Sequence, residues 1–472
     1  MVSLHHTMSA LELVAARKSG ELAARDLVEY FLGRIEQHNT TLHALVTVTA
    51  DEALRRAEVM DQGQVDPGIL WGLPFADKDL SHRAGVPTGW GSRVGTAAPI
   101  PEVSDPVVVA MDLAGGISLG KSAVCEFGLS SYTESEVFPP TKNPFSLLHG
   151  SGGSSGGAAA AVAGGLLPLA PASDGGGSIR IPAWTCGLVG MKPSRGLIPA
   201  GTGFDSLGGL VVPGALAHTL GDAALLMDAL RGHRPTYRAT GVSASPASFV
   251  DALEQPMRKL RVGVSLAHPW GDGMGIDISP DALAALDQVA ELARDIGHTV
   301  ADVEWTPRAS YADAFATLWR ASAATLDIPA GGHDVLENLT RYLVEEGAEL
   351  SAQELALALR ELAQFETHTI EAFSPHDIVL TPGLATAAPE LGWYDKEDAE
   401  RNFRQQIQVT PFSSFVNVSG LPALALPVSL TGHGLPVGVQ LIGGPGGDAT
   451  VLALGHQLSS QLSWGHQRPA MW

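Results

Sequence analysis

The sequence predicts an α/β fold built as one large domain. Strand-like and helix-like segments alternate along the chain. Apolar residues make up 45% of the 472 and charged residues 17%, the balance of a core-rich folded protein. No repeat recurs, and the best loop, "GVSASPAS" at 241–248, does not read as a domain linker.

Residues 8–36 read as two amphipathic helices joined near "KSGE". "TLHALVTV" (41–48) reads as a strand and "ADEALRRAEVMDQ" as the charged helix after it. "WGLPFADKDL" (71–80) is a short turn entering an apolar segment. "SDPVVVAMDLAG" then "GISLGKS" give helix then strand, and "AAAAVAGGL" a further helix. "LRVGVSL" (260–266) is strand-like, and "SPDALAALDQVAELARDIG" is a helix with Ser279 as N-cap and Pro280 in its first turn. Residues 306–405, rich in Ala, Leu and Glu, read as a helical, cap-like insertion near the substrate site. "HDIVLTPG" and "LPALALPVS" return to strands.

The formal net charge of −21 excludes a nucleic-acid partner, because an acidic surface repels phosphates. Only Cys125 and Cys186 are present, so no disulfide framework follows. The N-terminus carries charges throughout and lacks a signal-peptide core, so a soluble, cytoplasmic protein is expected. Gly150 to Ser173 and Gln405 to Gly447 are uncharged apart from His433, but prolines interrupt both. They read as buried elements of a large core rather than membrane spans.

Four motifs compete for the chemistry. Gly115 to Ser122 fits the phosphate-loop pattern G-x-x-x-x-G-K-[ST]. That motif needs a strand before it and a helix from the lysine, whereas here a helix precedes and a strand fills the loop. Gly152 to Gly156 fits the nucleophile elbow G-x-S-x-G, which needs a strand immediately upstream. "TKNPFSLLHGS" reads there as a loop. For metals there is no H-E-x-x-H or C-x-x-C, and "LHH" near the start reads as a solvated face.

The fourth motif is Gly175-Gly176-Gly177 followed by Ser178. Consecutive glycines let backbone N–H groups converge on one oxygen, as an oxyanion hole requires. A serine closing that loop is placed to be a nucleophile. No histidine lies nearby, but a lysine serves as base if burial keeps its amine neutral. Lys78, in an apolar turn, is the candidate, although Asp77 and Asp79 would oppose the shift if they faced the amine. Ser154 could bridge lysine and nucleophile. Alone, "GGSSGG" is as readily a flexible turn.

Taken together these segments resemble the amidase signature family, the Ser–cis-Ser–Lys hydrolases. The resemblance rests on "GLPFADKDL", "GKSAVCEFG", "NPFSLLHG", "GGSSGG" and "SDGGGSIRIPAWTCGLVGMKPSRGLIP", with Ser154 and Ser178 24 residues apart. "GLPALALPVS" and "GLPVGVQLIGGPGGDATVLALGHQL" carry it to the C-terminus. It spans 8–232 and 375–465 and does not recognise 306–405.

It implies a central mixed, twisted sheet with helices on both faces, an N-terminal helical region (8–60) and a signature core (70–232). It implies Ser178 as nucleophile, Ser154 as bridge after a cis peptide at Gly153, and Lys78 as base. The amides of Gly175, Gly176, Gly177 and Ser178 would form the oxyanion hole, braced by Ser155, Asp174 and Arg180. Gly175 departs from the family, which commonly has Thr there.

The implied activity is hydrolysis of carboxylic amides, with carbamates and esters also open, through an acyl-enzyme. No metal or other cofactor is expected. The partner is a small-molecule amide rather than nucleic acid or membrane, and a homodimer is compatible with the reading. Trp71, Trp90, Trp184, Trp319 and Trp393 are pocket candidates, with core packing the default. Trp184 and Cys186 are the substrate-binding candidates beside the nucleophile, Cys186 as a small buried residue rather than a nucleophile. The runner-up is the glutaminase subunit of a tRNA-dependent amidotransferase, whose Tyr- and Lys-rich central segment is not apparent in 306–405. A phosphate-loop NTPase and a non-catalytic interaction protein follow.

Overall fold

Among the described residues, thirteen strands in three sheets organise the fold. The computed structural model describes residues 6–199, 206–232, 246–470 and 472; the "GVSASPAS" loop lies outside them up to residue 245, as do Leu4 and His5 of "LHH". In chain order the strands are β1 (Leu45–Val48), β2 (Pro74–Lys78), β3 (Ile117–Ser122), β4 (Lys142–Asn143), β5 (Ser146–Gly150), β6 (Leu169–Asp174) and β7 (Val189–Lys192). They continue with β8 (Val212–Ala217), β9 (Arg261–Val264), β10 (Thr299–Asp302), β11 (Ile378–Pro382), β12 (Ala423–Leu430) and β13 (Pro436–Gly443).

Eight strands form the main sheet in the order β10-β9-β11-β13-β12-β7-β8-β6. The β10–β9 and β9–β11 pairs are parallel and the rest antiparallel, so the sheet is mixed. Its two faces are read from side-chain alternation. Ile378 and Leu380 of β11 join one apolar cluster, and Val379 between them joins another. Leu441 and Ile442 of β13 divide the same way. The first cluster takes in the helices Gly156–Ala163, Leu220–Arg231, Pro280–Asp295 and Asp448–Gln461. The second takes in Tyr311–Ala323, Ala352–Phe373 and Ser414–Val418. Helices therefore cover both faces of a single domain.

β1, β3 and β2 make a second sheet that carries Lys78, and β4 and β5 a short hairpin. Ser279 caps its helix as expected, accepting from the Ala282 N–H at 3.2 Å with Pro280 in the first turn. The second N-terminal helix runs to Leu42, so the first strand starts only at Leu45. Among the described residues no helix is long and apolar enough to cross a membrane.

Several expectations change. "WGLPFADKDL" is not merely a turn, since Pro74–Lys78 within it is strand β2. The segment before "GGSSGG" is the β4–β5 hairpin rather than a loop, though three residues still separate it from Ser154. The stretch 306–405 is not one helical insertion: it holds three long helices and then supplies β11, an interior strand of the main sheet. One expectation holds: the phosphate-loop pattern is filled by a strand, β3, where Lys121 is wholly buried and no helix starts. Lys121 Nζ donates to the Ser81 carbonyl and sits 3.6 Å from Asp79.

Candidate active site

β2 ends by delivering Lys78 into the interior. Strand alternation sends its neighbours the other way. Asp77 accepts from Arg83 Nε at 2.6 Å and Ser118 Oγ at 2.8 Å, and Asp79 from the Gly89 N–H. Neither aspartate meets the Lys78 amine. That amine donates to Ser154 Oγ at 2.8 Å, to Ser173 Oγ at 3.0 Å and to the Ser173 carbonyl at 3.2 Å. Burial pushes its pKa down from the usual lysine value to about 8, against the opposing pull of Cys125 and Asp174.

The Gly153–Ser154 peptide is cis. A Cβ on Gly153 would lie 2.5 Å from the Tyr132 backbone nitrogen, so only glycine fits this close crossing. Ser155 Oγ donates to the Ser173 carbonyl at 3.4 Å. Ser173, absent from the sequence-derived site, thus gathers both Lys78 and Ser155. Its position next to Asp174 at the end of β6 is the signal that could have found it.

Asp174 organises the glycine loop. Its carboxylate accepts from the amides of Gly177 (2.7 Å) and Ile179 (3.1 Å), from Arg180 Nε (3.0 Å) and Nη2 (2.9 Å), and from Asn417 Nδ2 (2.9 Å). Burial alone would raise its pKa, but Arg180, Lys192 and Asn417 outweigh that and hold it well below the carboxylate range. Arg180 is wholly buried and also donates to Ser413 O, Gln440 Oε1 and Asn417 Oδ1. A buried ion pair so fully hydrogen-bonded locks β6, the loop and the helix Ser414–Val418 together.

The expectation that Gly177 joins the oxyanion hole is corrected, because its one N–H is given to Asp174. The amides of Gly176 and Ser178 have no acceptor among the described residues. Ser178 opens onto a pocket whose wall includes Gly128 and Gly176. Gly128 also bounds the Lys78–Ser154 pair, since a Cβ there would lie 3.3 Å from Ser154 Oγ.

A model of the amidase family matches residues 26–452. The chain belongs to the amidase signature family. It is 37% identical over 458 residues to "Putative amidase AmiB2" of Mycobacterium tuberculosis (strain ATCC 25618 / H37Rv), covering 96% of each chain. Among solved structures it is similar to 6-aminohexanoate cyclic dimer hydrolase, with TM-score 0.90 and 26% identity over 99% of this chain and 100% of that one. It is also similar to a glutamyl-tRNA(Gln) amidotransferase chain from Thermotoga maritima, with TM-score 0.76 and 26% identity over 98% and 97%.

The amidase's pocket holds about 490 Å³ of space, its open mouth included. Leu129, Ile181, Trp270, Phe315, Trp319 and Phe403 supply apolar wall, and among the described residues no lining side chain is ionisable. Its polar groups are largely tied within the protein. Gln406 accepts from the Ser131 N–H and donates to Asn402, Ser413 Oγ donates to the Gly176 carbonyl, and Ser414 Oγ pairs with Tyr311 Oη. The indole N–H groups of Trp270 and Trp319 are buried and have no acceptor among the described residues.

Two substrate-binding candidates are corrected. Trp184 is a core residue whose indole donates to the Val439 carbonyl at 2.9 Å and packs over Gly383 and Gly438. Cys186 is wholly buried 3.5 Å from the Ser151 carbonyl, and burial pushes its thiol pKa up. Neither lines the pocket with Ser178. Of the five tryptophan candidates Trp319 alone does, and Trp270 was missed. Both come from regions with no recognisable motif. Among the described residues no three His, Cys, Asp or Glu side chains cluster as a metal site would need.

Proposed function

We propose that this amidase cleaves the C–N bond of neutral, apolar carboxylic amides through Ser178, Ser154 and Lys78. The observation that carries the reading is the buried Lys78 amine, its pKa lowered to about 8, 2.8 Å from Ser154 Oγ in a chain of this family. Ser178 Oγ attacks the carbonyl carbon. Its proton passes to Ser154, whose own proton passes to Lys78. The tetrahedral oxyanion is held by the free amides around Gly176 and Ser178. The C–N bond breaks as the relay returns a proton to the leaving nitrogen. Water then attacks the acyl ester by the same relay, releasing the acid and restoring Ser178.

The uncharged pocket supports this reading over the glutaminase one. Glutamine carries an α-ammonium and an α-carboxylate, and burying either without a charged partner is costly. Among the described residues none lines this pocket. The likeness to the amidotransferase chain concerns the fold and scaffold that both readings share.

A fluorophosphonate should label Ser178, and peptide mapping locates the adduct. An adduct on Ser154 would favour the elbow reading and sink this one.

A further inference from the structure

The helix Tyr311–Ala323 sits in the stretch no motif predicted, yet it reaches the glycine loop. Phe315 and Trp319, four residues apart, project from one face of it. Their rings stack, 5.6 Å between centroids and 17° between planes. The far edge of the Trp319 ring closes on the loop: a Cβ on Gly175 would lie 3.8 Å from Cη2 and Cζ3, and one on Gly176 3.9 Å from Cη2. The Phe315 ring tip lies 3.8 Å from the same Gly176 point. Val211 Cγ2 lies nearer the Gly175 point, at 3.0 Å, so Trp319 and Val211 together bound the loop at the residue where this chain has glycine rather than the family's common threonine.

The two sides of a bound amide are distinguished by the proton relay. The leaving nitrogen must face Ser154 and Lys78 to be protonated. Lys78 and Ser173 border a separate cavity, together with Ala172 and Val107, that shares no lining residue with the aromatic pocket. That cavity would take the amine side, and the aromatic pocket onto which Ser178 opens would take the group on the other side of the carbonyl. We propose that Phe315 and Trp319 form the acyl-side selector of this amidase, with the Trp319 ring edge setting the bulk allowed next to the scissile carbonyl. This rests on the Ser178–Ser154–Lys78 reading above.

The test compares wild type, Trp319→Phe and Trp319→Ala on two series. One series is p-nitroanilides of acetic, butyric, benzoic and 3-phenylpropanoic acids. The other fixes the butyryl group and varies the amine from ammonia to aniline to p-nitroaniline. The expected result is graded: kcat/KM for the phenylpropanoyl over the acetyl substrate rises about tenfold or more in Trp319→Ala, with Trp319→Phe between. The amine series should keep its order and ratios. Trp319→Phe keeps an aromatic ring in the stack, so its ratio is readable even if the alanine variant folds poorly. Unchanged acyl ratios in the folded variants would overturn the proposal, as would a change confined to the amine series. Failure of the underlying reading shows separately, as full activity in Ser178→Ala or Lys78→Ala.

Discussion

A lysine acts as a base only when its amine is neutral, and burial at Lys78 brings that state within reach of neutral pH. With its pKa near 8, the neutral fraction at pH 6 is about one per cent and grows roughly tenfold per pH unit. The profile of kcat/KM should therefore climb from acid to about pH 8 and level off above it. A profile flat from pH 6 to 8 would remove Lys78 as the base. Lys78→Ala should cut kcat/KM by about 10²–10⁴-fold with the circular dichroism spectrum retained. Ser154→Ala should be severely impaired but less so than Ser178→Ala, since a water can replace a bridging hydroxyl and nothing replaces the nucleophile. Equal rates for wild type and Ser154→Ala would leave Ser154 as a turn residue.

The glycine loop between β6 and the helix Arg180–Thr185 divides its labour among three glycines. Gly177 has φ +135°, and a Cβ there would meet Ile181 Cδ1 at 2.6 Å and Ser413 Oγ at 2.7 Å. Gly176 has no contact closer than 3.8 Å at the same point. Gly177→Ala should cost about 1–3 kcal/mol of stability through overpacking and displace the loop, measured as a lowered Tm together with lost turnover. Gly176→Ala should keep its Tm; a Tm as low as that of Gly177→Ala would refute the distinction.

This loop also shows what a sequence carries. The triplet and Ser178 were legible because glycines written together have a backbone purpose. That Gly177 serves Asp174 instead of an oxyanion was not, because the direction of an N–H follows from a dihedral angle. Lys78, Ser154 and Ser155 were legible as motif positions. Trp270, Phe315 and Ser173 were not, since an aromatic residue in a loop or a helix, or a serine in a strand, reads the same in a core and in a pocket. β11 was readable as an apolar run, but its place between β9 and β13 is a long-range pairing that no local pattern encodes.

Among the described residues three lysines are buried in the strands, Lys78, Lys121 and Lys192, and two of them, Lys192 and Lys78, carry a pH signature. Lys192, at the end of β7, is buried with its Nζ donating to the Pro193 carbonyl at 2.8 Å. Burial, aided by Arg180, pushes its pKa down to about 7 against the pull of Asp174 and Asp448. Lys78 sits at about 8, and an ordinary lysine at 10.5. Between the folded and unfolded values the unfolded chain binds a proton that the folded chain does not. Stability therefore rises with pH across that window, from about 7 for Lys192 and about 8 for Lys78 up to 10.5. Below the folded value both states are protonated and the slope from that lysine vanishes. Other groups titrate over the same range, so the informative quantity is the difference from variants lacking each amine. Between pH 7 and pH 9.5 the wild-type Tm should gain on that of Lys192→Met, and by less on that of Lys78→Met, whose window opens later. Parallel Tm curves for all three proteins would show that the buried amines keep their protons in the folded state. The Lys78 half of that result would also withdraw the neutral base from the active site.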